Sequence, residues 1–236
     1  MNVALIIPVY EPDERFVELI SELQQREFSK ILVVDDGSRD TRPFEGLSVS
    51  VCLHRHESNQ GKGAALKTGM AKARKLWPDS CGIVTMDADW QHLPSDAVRV
   101  AQAFETQPGS IVLGIRRFQV GRTPWKSLLG NTAINFLLQR LSGLRLSDTQ
   151  TGLRALPMSF LPRLLKLPSN GYEFEMECLL ALRQEPIRQV EIMTVYHGDN
   201  RNSHFKPLCD SVRILVVLFR WWLRKNLMKT ASGQDK

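Results

Sequence analysis

VALIIPVYEPDERFVELISELQQREFSKILVVDDGS, residues 3–38, opens with an apolar run, turns acidic, passes through a segment of helical period and closes on a second apolar run that again ends in acids. Val3 to Ile7 and Lys30 to Val34 are short, unbroken, rich in β-branched residues and bounded by turn residues, the pattern of strands buried on both faces. Between them, Asp13 to Arg26 places Phe16, Leu19, Ile20 and Leu23 on one helical face. A strand, a helix and a second strand in that order predict a right-handed crossover between parallel neighbours.

The alternation continues. Val49 to Leu53, Gly82 to Met86 and Ser110 to Leu113 read as further strands. Gly63 to Trp77 reads as a helix with Ala64, Ala65, Met70, Ala73 and Leu76 inward, and Ser95 opens another with Asp96 in its first turn. An α/β, doubly wound, mostly parallel sheet with helices on both faces is expected through about residue 115. Beyond it the sequence predicts a basic loop from Arg116 to Trp125, helices over Lys126–Leu141, Met158–Leu165 and Glu173–Gln184, strands over Thr149–Ala155 and Gln189–Tyr196, and a terminal helix from about Leu208 to Met228. With 236 residues, no internal repeat and no Gly-, Ser- or Pro-rich linker, the economical division is one domain over 1–207 and an amphipathic helix and tail over 208–236.

The formal charge is +6 and the isoelectric point 9.3, yet Lys206 to Lys229 carries six basic residues against Asp210. The excess sits in a C-terminal segment and the rest is almost neutral, which excludes a body built to wrap nucleic acid. Charged residues at 24% and hydrophobic ones at 43% exclude a disordered chain and a multispan membrane protein. Cys52, Cys81, Cys178 and Cys209 stand singly, as reduced thiols of a reducing compartment do. The N-terminus lacks a basic n-region and a cleavage site, so the cytoplasm is the expected location. The longest apolar stretch, Ile214 to Leu223, is ten residues with Arg220 inside, about half of the roughly 20 that span a bilayer.

In a doubly wound sheet ligands bind beyond the carboxyl ends of the strands. The residues there are Pro8-Val9-Tyr10-Glu11, Asp35-Asp36-Gly37-Ser38, Asn59-Gln60-Gly61-Lys62-Gly63 and Asp87-Ala88-Asp89-Trp90-Gln91. Neither a GxGxxG dinucleotide fingerprint nor a GxxxxGK[ST] phosphate loop is among them. Carboxylates after strands suit the base and ribose of a sugar nucleotide, and the pair Asp87/Asp89 suits a hard divalent cation that neutralises a diphosphate leaving group. Gly61-Lys62-Gly63 adds backbone donors, a helix N-terminus and one ammonium.

These motifs, with Asp148-Thr149-Gln150-Thr151-Gly152-Leu153-Arg154, Tyr172-Glu173-Phe174-Glu175-Met176-Glu177, Asn202-Ser203-His204-Phe205 and Asp210-Ser211, resemble in order those of family 2 glycosyltransferases with the GT-A fold. The likeness is strongest to dolichyl- and undecaprenyl-phosphate sugar transferases and covers nearly the whole chain. It implies a metal-dependent inverting transfer from a nucleotide-diphosphate sugar, with Pro8, Tyr10, Glu11, Asp35, Asp36, Lys62 and Asp87 around the donor. It also implies Mg²⁺ or Mn²⁺ at Asp87 and Asp89, with Gln91 and His204 as further ligands. At the acceptor side it implies Arg116, Lys126, Ser127 and Arg154, the last tying the late strand to the floor of the site. The family pattern is incomplete: Gly114-Ile115-Arg116 stands where the lipid-phosphate branch has Gly-Ser-Arg, and no Gly-Thr follows Asp40.

By position, the resemblance also makes Asp89 and Glu175 the candidate catalytic residues. A hydroxyl acceptor needs a carboxylate to take its proton, whereas a phosphate acceptor is already anionic. Glu173 and Glu177 share a helical face from which Glu175 points away, so the three cannot all line one site. Lys206, Asp210, Arg213, Arg220 and Arg224 form one stripe along the terminal helix, beside an apolar body that includes Trp221-Trp222. That arrangement suits a helix lying in a membrane interface, at the inner face of a plasma membrane. A helix packed on the core with its stripe outward, or a homodimer contact, is the alternative. Also left open are transfer to a soluble or glycan hydroxyl, a catalytically silent sugar-nucleotide-binding subunit and a nucleotidyltransferase, the last disfavoured by Pro8-Val9-Tyr10-Glu11 in place of a Gly-rich loop.

Overall fold

The computed structural model describes residues 1–26, 28–116, 125–193 and 207–232, with side chains at all of these except 125–131, 207–208 and 228–232. Among the described residues seven strands form one sheet: β1 (Val3–Val9), β2 (Ile31–Asp35), β3 (Val51–Arg55), β4 (Gly82–Thr85), β5 (Ile111–Arg116), β6 (Arg154–Pro157) and β7 (Ile187–Ile192). Their order is β3-β2-β1-β4-β6-β5-β7, and every pairing is parallel except the two made by β6.

Period-2 alternation sorts the strand side chains into two cores. Leu5 and Ile7 of β1, Val33 of β2, Val84 of β4 and Val112 of β5 pack with α1 (Phe16–Gln25) and α4 (Pro94–Glu105). Ala4 and Ile6, Ile83, and Ile111 and Leu113 face the other way, onto α3 (Lys62–Leu76), a short α6 (Leu161–Leu164) and α7 (Phe174–Ala181). The inward face expected for residues 13–26 holds, since Phe16, Leu19, Ile20 and Leu23 are buried. A short α2 (Arg42–Glu45) lies between β2 and β3.

Two strands start later than their composition predicts. Val49 is fully exposed and β3 begins at Val51, whose amide closes a turn onto the carbonyl of Ser48. Thr149 to Leu153 is a buried loop, with β6 starting only at Arg154; its carbonyls at Thr149 and Thr151 are taken by the Arg154 guanidinium and not by a neighbouring strand. A buried backbone acceptor needs some partner, and here a side chain supplies it. Because β6 runs against its neighbours, its first residue lies at the edge where the parallel strands end. The 148–154 loop therefore joins the same rim as the ends of β1 to β5.

A third core joins α5 (Trp125–Ser142), α7 and α8 (Pro207–Ser232) through Ile134, Leu138, Met176, Leu180, Ile214 and Leu218. The terminal helix thus packs on the body through one face. Asp210 does not belong to an outward charged stripe: it is buried, 3.5 Å from Arg213. No helix among the described residues is long and apolar enough to cross a membrane.

Candidate active site

The rim is built by loops that hold one another. After β1 the backbone turns sharply, Glu11 adopting φ 47°, a left-handed conformation that costs a non-glycine residue energy and here must be imposed by its surroundings. The Glu11 amide donates to Ser38 Oγ at 2.8 Å, and its carboxylate accepts the Arg39 amide at 2.9 Å. Ser38 in turn donates through its amide and hydroxyl to Asp35 Oδ1, at 2.9 and 2.5 Å, while Asp35 Oδ2 lies 3.3 Å from Arg55 Nε. Asp35 is completely buried. Its carboxylate ties the first two rim loops together, beside Tyr10 and Glu11, which are half-buried; Pro8 is buried within β1.

Asp36 joins the second loop to the third. Its two oxygens accept the amides of Gln60 and Gly61 at 3.0 and 2.8 Å, and Oδ1 lies 2.7 Å from His56 Nδ1. Gly61 has φ 100°, and a Cβ there would come 2.5 Å from the carbonyl oxygen of Asn170, so only glycine lets the start of α3 lie this close to the 170–174 loop.

That close approach brings Lys62 to the acids. Its ammonium is 2.7 Å from Asp87 Oδ1, 3.2 Å from Glu175 Oε2 and 5.4 Å from the centre of the Tyr172 ring. The side chains are 14% exposed for Lys62, 25% for Asp87 and 10% for Glu175. Burial pulls the Lys62 pKa down, but Asp87 and Glu175 outweigh it and hold the amine above its ordinary range. Asp87 is held below its ordinary value, its own burial being overcome by Lys62 and His92. Asp89 goes the other way, pushed up to about 6 by burial and by the charge of Asp87.

Two half-desolvated carboxylates that resist joint ionisation are a fitting donor set for a divalent cation, which relieves what burial and mutual repulsion cost. The backbone supports this placement: a Cβ on Gly152 would sit 2.2 Å from Asp87 Oδ2, so the carboxylate rests on bare main chain. Asp89 Oδ1 accepts the Gln91 amide at 3.1 Å, and the intervening Trp90 has φ 61°, with its indole N–H donating to the Arg15 carbonyl at 2.9 Å. Among the described residues no third His, Cys, Asp or Glu completes a metal cluster with these two. His204 lies outside the described residues.

Of the residues expected to meet the acceptor, Arg116 ends β5 and donates to Asp148 through Nε at 2.6 Å and Nη2 at 2.9 Å. Asp148 is fully buried, so a bidentate pair fixes Arg116 at the end of β5; residues 117–124, expected as a basic loop, lie outside the described ones. Lys126 and Ser127 fall in the first turn of α5, their side chains also outside the described ones. Arg154 is buried and donates to the carbonyls of Thr151, Glu175 and Thr149 at 2.8, 2.7 and 3.1 Å. It acts on the site through the loops it ties. Glu175 turns inward while Glu173 and Glu177 accept the Gly171 and Ser169 amides at 3.2 and 3.1 Å, the division that helical geometry required.

Several contributors were not among the expected site residues. Tyr172 under the ammonium, Ser38 under Glu11, and His56 behind Asp36 each lie in or beside a quoted motif, but no spacing rule connects them to their partners. His92 is buried with Nδ1 unpartnered, and its pKa falls to about 4 chiefly through burial.

A family model described as glycosyl transferase family 2 matches residues 4–165. The chain belongs to that family. The UDP-N-acetylglucosamine–dolichyl-phosphate N-acetylglucosaminyltransferase of Methanococcus voltae is 31% identical over 215 residues, covering 81% of this chain and 85% of that protein. The undecaprenyl-phosphate mannosyltransferase of Micrococcus luteus is 31% identical over 205 residues, covering 81% and 82%. Among solved structures, glucosyl-3-phosphoglycerate synthase from Mycobacterium tuberculosis, in complex with Mn²⁺, UDP and phosphoglyceric acid, superposes with a TM-score of 0.68 at 20% identity, covering 93% of this chain and 78% of that one. The fold is therefore GT-A, and the family 2 glycosyltransferase stands near the polyprenyl-phosphate sugar transferases, as the rim motifs imply.

Proposed function

We propose that this glycosyltransferase moves a sugar from a nucleotide-diphosphate sugar to a polyprenyl phosphate, working with Mg²⁺ or Mn²⁺ from the cytoplasmic face of a membrane. The observation that carries the reading is the meeting of Asp87, Lys62 and Glu175 at the rim, beside Asp89: two carboxylates for a cation and an ammonium for a diphosphate, closed below by Arg154. The fit of Asp87 and Asp89 to a cation is electrostatic, and such a cation supplies the charge that stabilises a departing nucleoside diphosphate. On this reading Tyr10 and Glu11 meet the base and ribose, Asp35 supports the turn that carries them through Ser38, and Asp36 anchors the 59–61 loop before Lys62.

An acceptor phosphate brings its own negative charge, so no residue has to remove a proton from it. Glu175 then serves by holding Lys62, and Arg116, at the end of β5, lies on the side at which the phosphate enters, with Lys126 and Ser127 as the further acceptor residues that the resemblance implies. Support for a lipid acceptor comes from the two relatives named above and from α8. That helix leaves Val212, Leu215, Val216, Phe219, Leu223 and Leu227 exposed along one stripe, at spacings of 3, 1, 3, 4 and 4, with Arg213, Arg220 and Arg224 along its edge. If the acceptor is instead a hydroxyl, Glu175 is the carboxylate within reach of the site to accept its proton.

The test is transfer from UDP- and GDP-sugars, with Mn²⁺ and with a chelator, to a short-chain polyprenyl phosphate and to a soluble hydroxyl acceptor. Chelator-sensitive transfer to the lipid phosphate that survives Glu175→Gln is expected. Transfer confined to the hydroxyl acceptor and abolished by Glu175→Gln would replace the lipid reading.

A further inference from the structure

Lys62 does not extend toward an incoming ligand. It is folded back between two acids whose strands and helices are far apart in sequence, with Asp87 Oδ1 at 2.7 Å, Glu175 Oε2 at 3.2 Å and the Tyr172 ring beneath it. The Asp87 carboxylate has little room to turn away from this contact, because its other oxygen rests on the Gly152 backbone. Glu175 is likewise fixed, its carbonyl held by Arg154 and its helix started by the 170–174 loop against which Gly61 packs. Lys62, at the first position of α3 with a four-carbon stem, is the movable member of the cluster. An ammonium and a divalent cation placed on the same carboxylate oxygen repel, so one must give way to the other.

From this arrangement we propose that Lys62 is an internal counter-cation: in the donor-free enzyme it occupies the cation-binding side of Asp87, and it withdraws toward the diphosphate when metal and nucleotide enter together. The inference rests on the reading of Asp87 and Asp89 as the cation site and deepens it. Metal alone must displace an ion pair and leave the ammonium without its partner at Asp87. Metal with a diphosphate gives the ammonium a new anion to pair with. The two ligands are therefore coupled through Lys62, and coupling of this kind is reciprocal. The cluster also keeps Asp87 neutralised and Glu175 oriented while the site is empty, a positioning role that needs no chemistry from the lysine.

Binding of Mn²⁺ to the full-length protein, followed by the electron paramagnetic resonance signal of the free ion with and without UDP, reads this directly. Lys62→Met should bind Mn²⁺ without nucleotide about tenfold more tightly than the wild type and should lose most of the gain in Mn²⁺ affinity that UDP confers. Lys62→Gln, which keeps a polar end, should do the same if the Met variant folds poorly, and Lys62→Arg should resemble the wild type. A lysine that only props the fold could weaken metal binding when removed but would not tighten it. Unchanged or weaker nucleotide-free binding in folded Lys62→Met and Lys62→Gln, with transfer by the wild type intact, overturns the counter-cation role alone. Mn²⁺ binding that Asp89→Asn leaves unaltered places the ion elsewhere and overturns the metal site as well.

Discussion

Arg154, at the start of the antiparallel strand, donates a hydrogen bond to the main-chain carbonyl of Glu175 at 2.7 Å, binding the sheet to the helix that carries the acid. The same guanidinium closes the Thr149 and Thr151 carbonyls, so a single buried side chain fixes both the floor loop and the direction of Glu175. Replacing it leaves buried acceptors without donors, at about 1–3 kcal/mol for each such group.

Arg154→Met should therefore lower stability by about 3 kcal/mol, a fall in Tm of roughly 10 °C for a chain of this length. Arg154→Lys should recover only part of this, since one ammonium cannot reproduce the planar guanidinium fork. Thermal unfolding of the three proteins checks it. A Met variant as stable as the wild type would mean that the loop carbonyls find other partners and that Arg154 is not the tie.

Asp36 makes a comparable case on the donor side. Its carboxylate holds the Gln60 and Gly61 amides just before Lys62, so Asp36→Ala should lower stability and also weaken UDP binding by about ten- to a hundredfold as the 59–61 loop loses its anchor. Asp36→Asn should be intermediate, because its amide end keeps one acceptor where the carboxylate presents two. Calorimetry with UDP and thermal unfolding on each variant measure the two effects. Loss of affinity at full stability would instead place Asp36 in direct contact with the base.

The parts of this architecture that the sequence carries openly are those with a local cause. A strand covered on both faces must be continuously apolar, so β1, β2, β4 and β5 stand out; an amphipathic helix must repeat every three or four residues, so α1 does too. The acids after the strands were legible for the same reason, being tied to strand ends by parallel topology. What was not legible is pairing at a distance. Nothing in Gly61-Lys62-Gly63 tells that the ammonium meets Glu175, 113 positions later, and Arg116, read as the start of a basic loop, is locked by Asp148, 32 positions on. Thr149 to Leu153 has the composition of a strand, but the Arg154 side chain takes the carbonyls that a strand would offer to a neighbour. The terminal helix was legible as amphipathic and misread in detail, since Asp210 turns inward to the body.

Asp89 predicts a pH dependence. In the metal-free fold its pKa is pushed up to about 6 by burial and by Asp87, from an ordinary value of 3.8. The fold therefore binds this proton more tightly than the unfolded chain does, and the stability it contributes is fully present at about pH 4 and lost as pH rises through 6. Without metal, Asp89→Asn should gain stability relative to the wild type as pH is raised from 4.5 to 7.5. A cation favours the ionised form, so the rise in Tm on adding Mn²⁺ should be larger at pH 7.5 than at pH 5 in the wild type and small at both in Asp89→Asn. Thermal shift across that range checks both trends. A Mn²⁺ effect that grows on acidification would contradict the assignment of Asp89.

The exposed side of α8 gives the last prediction. Ile214 and Leu218 are spent on the third core, yet Phe219 is 55% exposed and Leu227 67%, with Phe219 stacked on Trp222 at 5.8 Å. Trp221 is bracketed by Arg183 and Lys225 at 5.1 and 5.0 Å, and Arg213, Arg220 and Arg224 line the edge of the apolar stripe. Apolar residues edged by arginine match a bilayer surface, where acyl chains take the stripe and anionic headgroups take the cations. The intact chain should co-sediment with phosphatidylglycerol vesicles and less with neutral ones, and added salt should weaken the binding. Replacing Phe219, Leu223 and Leu227 by serine should remove binding at both salt levels, whereas replacing Arg213, Arg220 and Arg224 by glutamine should remove chiefly the salt-sensitive part, about 1 kcal/mol for each charge near the surface. Because Phe219, Leu223 and Leu227 point away from the Ile214–Leu218 packing face, the folded core should melt as before in the serine variant, whereas the glutamine variant also takes Arg213 from the buried Asp210 and should melt somewhat lower. Binding that survives the serine substitutions would put the membrane contact elsewhere on the chain, and a shift of the intact protein to a dimer in the absence of vesicles, abolished by the same substitutions, would make the stripe a subunit interface.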